Sequence, residues 1–309
     1  MNFKTFMYYC ALCGGWAALV VWALQEFSGM SEWGNAKPLF QKGTAIGALL
    51  GLLLAAVIGL LDAILNSVGF ARVVRVVMSV AVGLTGSLVF AYIGEWIRDG
   101  VSFVFPGWMM VGFIIGAALG VFDVVRSVGA GGKGMKQAIR KVVNGIIGGT
   151  IGGFIGGALN DAFNFVPWPF DESYDTMKAR FPKWSLAVGL VILGMCIGLL
   201  IGVAQVVLKE AWVKVEKGFR SGREMILSKP ETSIGRAEGV DIALFGDMQV
   251  EKQHARIVLK GDRYVLLDGD TPGGTTVNGQ RISGPYPLKN NDLIGAGNSL
   301  VRFQEKTKR

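Results

Sequence analysis

Six runs of about twenty apolar residues, each nearly free of ionised side chains, occupy the first two thirds of the chain and leave it few ways to fold. Backbone taken into hydrocarbon must satisfy its own hydrogen bonds, which confines such runs to helices. At a rise of about 1.5 Å per residue, roughly twenty residues cross the ~30 Å apolar core of a bilayer. The runs near residues 6–24, 43–65, 76–97, 104–125, 142–164 and 185–208 are each long enough. The expected plan is a polytopic all-α membrane domain over 1–208, a basic juxtamembrane helix or linker over 209–223, and a separate module over 224–309.

Loop charge sets the expected orientation, because Lys and Arg flanking spans are retained on the cytoplasmic side. Thirteen such residues share one side, among them Lys4, Arg72, Arg75, Arg140, Lys141 and Lys209, against six on the other, including Lys37, Arg98 and Lys178. Both termini are therefore expected in the cytoplasm, with the spans in a bacterial-type inner membrane. The net charge of +8 is then mostly topogenic. No basic stretch is interleaved with exposed aromatics as a base-stacking surface requires, so nucleic acid is not an expected partner. The first run reads as a span rather than a signal peptide, since Leu24-Gln25-Glu26 offers no small-x-small cleavage site. Cys10, Cys13 and Cys196 all fall inside runs, and the one histidine, His254, lies in the module, so neither a metal nor a cofactor is expected.

The helical part repeats itself. Gly51…Gly59-Leu60-Leu61-Asp62 and Gly112…Gly116…Gly120-Val121-Phe122-Asp123 look like copies of one helix ending in an acid, and Gly194…Gly198…Gly202 ending near Gln205 is a weaker third. Between them run helices that begin basic and end near an acid, Arg75 to Glu95 and Lys141 to Asp161. The pattern is one of parallel hairpins with the first span left over. The fifth run carries a glycine zipper: Gly145, Gly149, Gly153 and Gly157 on one line, Gly148, Gly152 and Gly156 on the next. Lipid is as apolar as leucine, so small residues that let backbones approach supply the packing between helices. The fifth run is expected at the centre of the bundle, in static packing or homo-oligomerisation. Asp62, Glu95, Asp123 and Asp161 lie near helix ends, within expected reach of headgroups or water.

From about Met225 the long apolar runs stop and short β-rich segments appear between Gly, Asp and Pro clusters. Nine strands are expected, near 224–227, 232–235, 241–244, 254–259, 264–268, 275–277, 280–282, 293–296 and 300–304, which argues for a sandwich. Asn278-Gly279 signals a two-residue hairpin, because that turn needs φ > 0.

Ile234-Gly235-Arg236, Asp241-Ile242-Ala243-Leu244, Val250-Glu251-Lys252-Gln253-His254 and Gly274-Thr275-Thr276-Val277-Asn278-Gly279 resemble, in order and spacing, the forkhead-associated (FHA) domain. The resemblance implies an eleven-stranded all-β sandwich whose loops read phosphothreonine peptides. By the same resemblance Arg236 pairs with phosphate, Lys252 adds a second cation, and Glu251, Gly273 and Thr275 complete the binding face. Gly235, His254, Asn278 and Gly279 brace the loops. Two departures matter: Glu251 stands where the family has a serine, and Pro272-Gly273 where it has Thr-Asn. Both remove donors, and the Glu251 carboxylate is expected to repel phosphate while offering Arg236 an internal partner.

No catalytic constellation is visible, so an enzyme is not expected. The expected function is a membrane-anchored scaffold whose cytoplasmic module docks a protein or phosphopeptide with weak or no dependence on phosphorylation. The alternative is a channel or transporter regulated by that module.

Overall fold

The computed structural model describes residues 3–27, 42–66, 70–98, 105–129, 131–132, 134–165, 184–227, 231–260 and 263–306. Among the described residues six helices come first: α1 (Phe3–Phe27), α2 (Lys42–Asn66), α3 (Phe70–Arg98), α4 (Phe105–Gly129), α5 (Met135–Phe165) and α6 (Trp184–Val207). Each contains a stretch long and apolar enough to cross a membrane. The segments bearing Lys37, Lys178, Arg180 and Lys183 lie outside the described residues.

Leu50, Leu54, Ile58, Ile115, Leu193 and Ile197 fill the middle of the bundle, whereas α5 turns its small residues inward and its large ones outward. On α5, Ile147, Ile151, Phe154 and Ile155 are exposed, while its glycines are buried between neighbours. That inversion suits a helix whose surroundings are hydrocarbon. Gly145, Gly149 and Gly153 lie against the α4 backbone at Gly116, Gly112 and Trp108, whereas Gly148, Gly152 and Gly156 lie against α6 at Ile201, Ile197 and Leu193. A Cβ on Gly152 would come within 2.7 Å of Ile197 Cα, and one on Gly156 within 2.9 Å of Leu193 Cα. Gly157 is buried on the first line. The two glycine lines thus serve two different neighbours. The centre belongs not to α5, as expected, but to α2, the most enclosed helix, which touches α1, α3, α4 and α6.

One contact recurs three times. Gly51 of α2 meets Gly83 of α3, Gly112 of α4 meets Gly149 of α5, and Gly194 of α6 meets Gly14 of α1. The first span is therefore not left over: α1 pairs with α6 as α3 pairs with α2 and α5 with α4. Three hairpins, one assembled from the two ends of the domain, pack side by side into a ring.

Eleven strands follow among the described residues: β1 (Ala211–Lys217), β2 (Glu224–Ile226), β3 (Glu231–Gly235), β4 (Ile242–Ala243), β5 (Ala255–Lys260), β6 (Arg263–Asp268), β7 (Thr275–Val277), β8 (Gln280–Arg281), β9 (Tyr286–Pro287), β10 (Leu293–Ala296) and β11 (Ser299–Glu305). They form a six-stranded sheet, β2-β1-β11-β10-β7-β8, facing a five-stranded one, β4-β3-β5-β6-β9. Val213, Leu244, Val250, Ile257, Leu266, Val301 and Phe303 fill the space between them. Asn278 (φ 53°) and Gly279 (φ 83°) make the tight turn between β7 and β8.

The juxtamembrane helix expected over 209–223 is replaced by β1. Ala211, Val213 and Val215 alternate with half-buried residues, a period of two that fits a strand, and β1 runs antiparallel to β11 from Ala211↔Glu305 to Val215↔Val301. The sandwich therefore begins at Ala211, close behind the end of α6 at Val207. It sits directly on the helices. The Phe3 amide donates to Glu224 Oε2 at 3.0 Å, Lys306 Nζ donates to the Val207 carbonyl, and the Lys209 ammonium lies 3.7 Å from the Phe3 ring centre and 4.1 Å from that of Trp212. Burial holds that ammonium below the ordinary lysine range, against the opposing field of Glu224. Strand β1 leads away from this seat, so the β1–β2 and β10–β11 turns lie at the far end, about 20 Å off at ~3.3 Å per residue.

Candidate functional site

Arg236 stands at that far end. Gly235, the last residue of β3, is pressed against the loop between β4 and β5: a Cβ there would sit 2.9 Å from the Lys252 carbonyl carbon and 3.1 Å from the Glu251 oxygen. The close approach lets the Arg236 amide donate to the Glu251 carbonyl at 3.0 Å and the Ala237 amide to the Lys252 carbonyl at 3.2 Å. The backbone of Arg236 is fixed by these bonds, and its side chain is not. Among the described residues the side chain's one recorded polar contact is Nη1 to Met248 Sδ, at 3.9 Å; its Nε is buried without a hydrogen-bond partner, and it forms no ion pair. Glu251 is therefore not the internal partner expected for it. Lys252 is exposed alongside.

The loops around Arg236 are braced by buried polar side chains. His254 is fully enclosed; its Nδ1 accepts from the Glu251 amide at 3.2 Å and its Nε2 lies 3.3 Å from the Gly274 carbonyl. An acceptor at Nδ1 leaves the proton on Nε2, so one neutral imidazole ties the β4–β5 loop to the β6–β7 loop. Thr275, expected on the binding face, is instead wholly buried and donates its hydroxyl to Asp268, because it points into the sandwich from the first position of β7. Gly273 is exposed. Asn278 donates to Asp292 at 2.9 Å and accepts from the Leu293 amide at 2.9 Å, joining the β7–β8 turn to the start of β10. The sequence reading missed Asp247, which accepts from the Asn298 amide at 2.8 Å and the Ser299 hydroxyl at 2.9 Å and so fastens the β4–β5 loop to the β10–β11 turn.

A second constellation lies inside the helical domain. Asp62 and Asp123, expected at headgroups or water, are buried together with Arg75 and Lys141. Arg75 Nη1 donates to Asp62 Oδ2 at 2.7 Å and its Nη2 donates to Asp123, while Lys141 Nζ lies 2.6 Å from Asp62 Oδ2 and 3.1 Å from Asp123 Oδ2. Each acid meets both bases, and the four charges cancel. Such a network withstands a low dielectric only while every member keeps its partners. It obeys the threefold repeat: eleven residues past Gly51, Gly112 and Gly194 come Asp62, Asp123 and Gln205, and eight before Gly83, Gly149 and Gly14 come Arg75, Lys141 and Phe6. The third hairpin thus carries an amide and a phenyl ring in place of the ion pair. A cavity opens at that position, lined by Phe6, Asp62, Lys141, Asn144 and Gln205 and bounded by Glu224 and Met225 of the sandwich.

The FHA domain family model matches residues 232–297, the stretch that holds Arg236 and its bracing side chains. The chain is 31% identical over 93 residues to the glycogen accumulation regulator GarA of Mycolicibacterium smegmatis, covering 30% of this chain and 58% of GarA. It is 31% identical over 98 residues to the oxoglutarate dehydrogenase inhibitor of Corynebacterium jeikeium, covering 32% of this chain and 67% of that protein. Among solved structures, the FHA domain of FhaA, crystallised with the intracellular domain of another protein, aligns at 26% identity over 30% of this chain and 99% of its own, with a TM-score of 0.28. Through the domain at residues 232–297, the chain belongs to the FHA family.

Proposed function

We propose that the chain is a membrane-anchored recognition scaffold, whose six helices hold the FHA domain at the cytoplasmic face of a bacterial-type inner membrane and whose Arg236 face docks a protein partner. The observation that carries this reading is the unneutralised Arg236 guanidinium at the end remote from the helices, with Lys252 beside it. A guanidinium fork held on fixed backbone is a receptor for carboxylate or phosphate. Glu251 and Pro272-Gly273 withhold donors that the family resemblance places there, so dependence on phosphate is weak. Relatives named as a regulator and as an enzyme inhibitor fit a module that acts through other proteins. The reading assigns the chain no catalysis.

The test is cross-linking and pull-down from native membranes with the full chain and with Arg236→Ala. Capture of a discrete protein that is lost in the variant, and that survives phosphatase treatment at no worse than about tenfold lower yield, supports the reading. Equal capture by both forms overturns it.

The buried charges favour a second reading, a conduit regulated by the FHA domain, since ionisable groups within spanning helices commonly mark ion or solute paths. Flux through reconstituted vesicles that responds to both Lys141→Met and Arg236→Ala would establish it, and sealed vesicles would dismiss it.

A further inference from the structure

The cavity between the helices and the sandwich lies at the end of the domain away from Arg236 and takes no part in docking there. Helices α1, α2, α5 and α6 form its wall, and β2 and Tyr264 of the sandwich close it. It stands at the third repeat position, where Gln205 and Phe6 replace the acid and base of the other two hairpins. The space open to the centres of small molecules is about 60 Å³. One water needs roughly 10–15 Å³ of such space, so about four or five fit. That excludes a nucleotide or a peptide and admits a solute no bulkier than valine.

Most of the charges around the cavity are already paired. Asp62 and Lys141 belong to the closed four-charge network, and Arg140 is ion-paired with Glu210. Lys209 and Glu224 are different. They line the same cavity from opposite sides of the junction, one following α6 and the other opening β2, and Lys209 feels the Glu224 field, yet the two form no ion pair. Other neighbours hold each in place: the Phe3 and Trp212 rings hold the Lys209 ammonium, and the Phe3 amide holds Glu224 Oε2. Among the described residues, the ammonium has no hydrogen-bond acceptor and Glu224 Oε1 no donor. Free carboxamide groups stand beside them. Gln205 Nε2 donates to the Lys141 carbonyl at 3.1 Å and Asn144 Nδ2 reaches the Leu208 carbonyl at 3.5 Å, which leaves both amide oxygens as acceptors for a further group.

Opposite charges kept apart by fixed neighbours, in a small and partly apolar hollow, are complementary to a molecule that carries both charges itself. A lone anion or a lone cation meets repulsion there as well as attraction. Lipid is the poorer occupant, because four helices and the sandwich all contribute to the wall.

We propose that this cavity is a binding site for a small zwitterion, an α-amino acid no bulkier than valine, with its carboxylate on Lys209 and its ammonium on Glu224 and the amide oxygens of Gln205 and Asn144. The site joins residues of the bundle to residues of the sandwich, so the bound solute ties the two together. It is independent of docking at Arg236 and stands or falls separately from it.

The test is equilibrium binding of radiolabelled glycine, alanine, serine and valine to the full chain in phosphatidylglycerol nanodiscs. The expected result is saturable binding of at least one of them, at one molecule per chain, displaced by the unlabelled small amino acids but not by propionate, ethylamine or tryptophan at the same concentration. Lys209→Gln and Glu224→Gln, which remove one charge each, should weaken binding about tenfold or more. Thermal unfolding shows whether each variant is folded, and where one is not, the displacement series on the unaltered chain decides. No saturable binding of any of the four amino acids overturns the site and leaves the cavity to water. Displacement by propionate or by ethylamine as strong as by alanine makes it a site for a single charge and overturns the zwitterion. Binding unchanged in both folded variants places the solute elsewhere and overturns the proposal. Binding abolished when phosphatidylethanolamine replaces phosphatidylglycerol assigns the cavity to a lipid headgroup and overturns the soluble ligand.

Discussion

His254 shows how much one side chain does for loops that it never leaves. With its ring replaced by a methyl group, the Glu251 amide and the Gly274 carbonyl lose their partner inside the sandwich, and each unsatisfied buried group costs about 1–3 kcal/mol. His254→Ala is expected to lower the stability of the FHA domain by roughly 2–4 kcal/mol in denaturant unfolding, while Lys252→Ala, at an exposed position, shifts it by under about 0.5 kcal/mol. Asp247 gives a pH signature. Burial alone would raise its pKa, but hydrogen bonds from Ser299, Gln249 and Asn298 outweigh burial and hold it below the ordinary aspartate range. The stability it confers is complete above the unfolded value near pH ~4 and is lost as pH falls through the lower folded value. Amide exchange at Gln249 and Asn298 should therefore quicken below about pH 4, and Asp247→Asn should remove that dependence. The bracing role of His254 was legible through the family resemblance. That of Asp247 was not, because the partners it ties the loop to, Asn298 and Ser299, lie 51 and 52 residues further along the chain.

Among the elements, the glycine-lined helices were the most readable and the first strand the least. The two lines on α5 could be drawn from spacing alone, yet spacing does not say which neighbour each line meets. The α1–α6 seam was hidden further, since Cys10, Gly14 and Ala18 form a small-residue line with only one glycine in it. Strand β1 was misread because Lys209-Glu210-Ala211-Trp212 follows an apolar helix directly and mixes Trp with basic residues, as interfacial helices do; the alternation of Ala211, Val213 and Val215 carried the better signal. A branched side chain in a seam has nowhere to go. Gly149→Val should destabilise the bundle by about 1–3 kcal/mol or more through overpacking, read as a lower unfolding midpoint in nanodiscs. Ile151→Val, on the exposed face of the same helix, should change it by under about 0.5 kcal/mol. Equal effects would show that the seam is not tightly packed.

Across the whole molecule, the acid and base positions were visible as repeats, but their pairing across hairpins was not. A charge one or two turns inside a helix end reads as surface until the neighbouring hairpin is in place. Asp62→Asn leaves two buried cations sharing one carboxylate and should cost about 3–5 kcal/mol. Asp62→Asn combined with Lys141→Gln restores neutrality and should recover at least ~1 kcal/mol of that loss, measured as a double-mutant cycle on unfolding in mixed micelles. Simple additivity of the two substitutions would rule the coupled network out. The pairing of α1 with α6 also bears on biosynthesis. Of the six described helices α1 is synthesised first and its mate α6 last, so until α6 follows, the inner face of α1 stands without its partner, a feature by which a membrane protease could tell unassembled bundles from assembled ones.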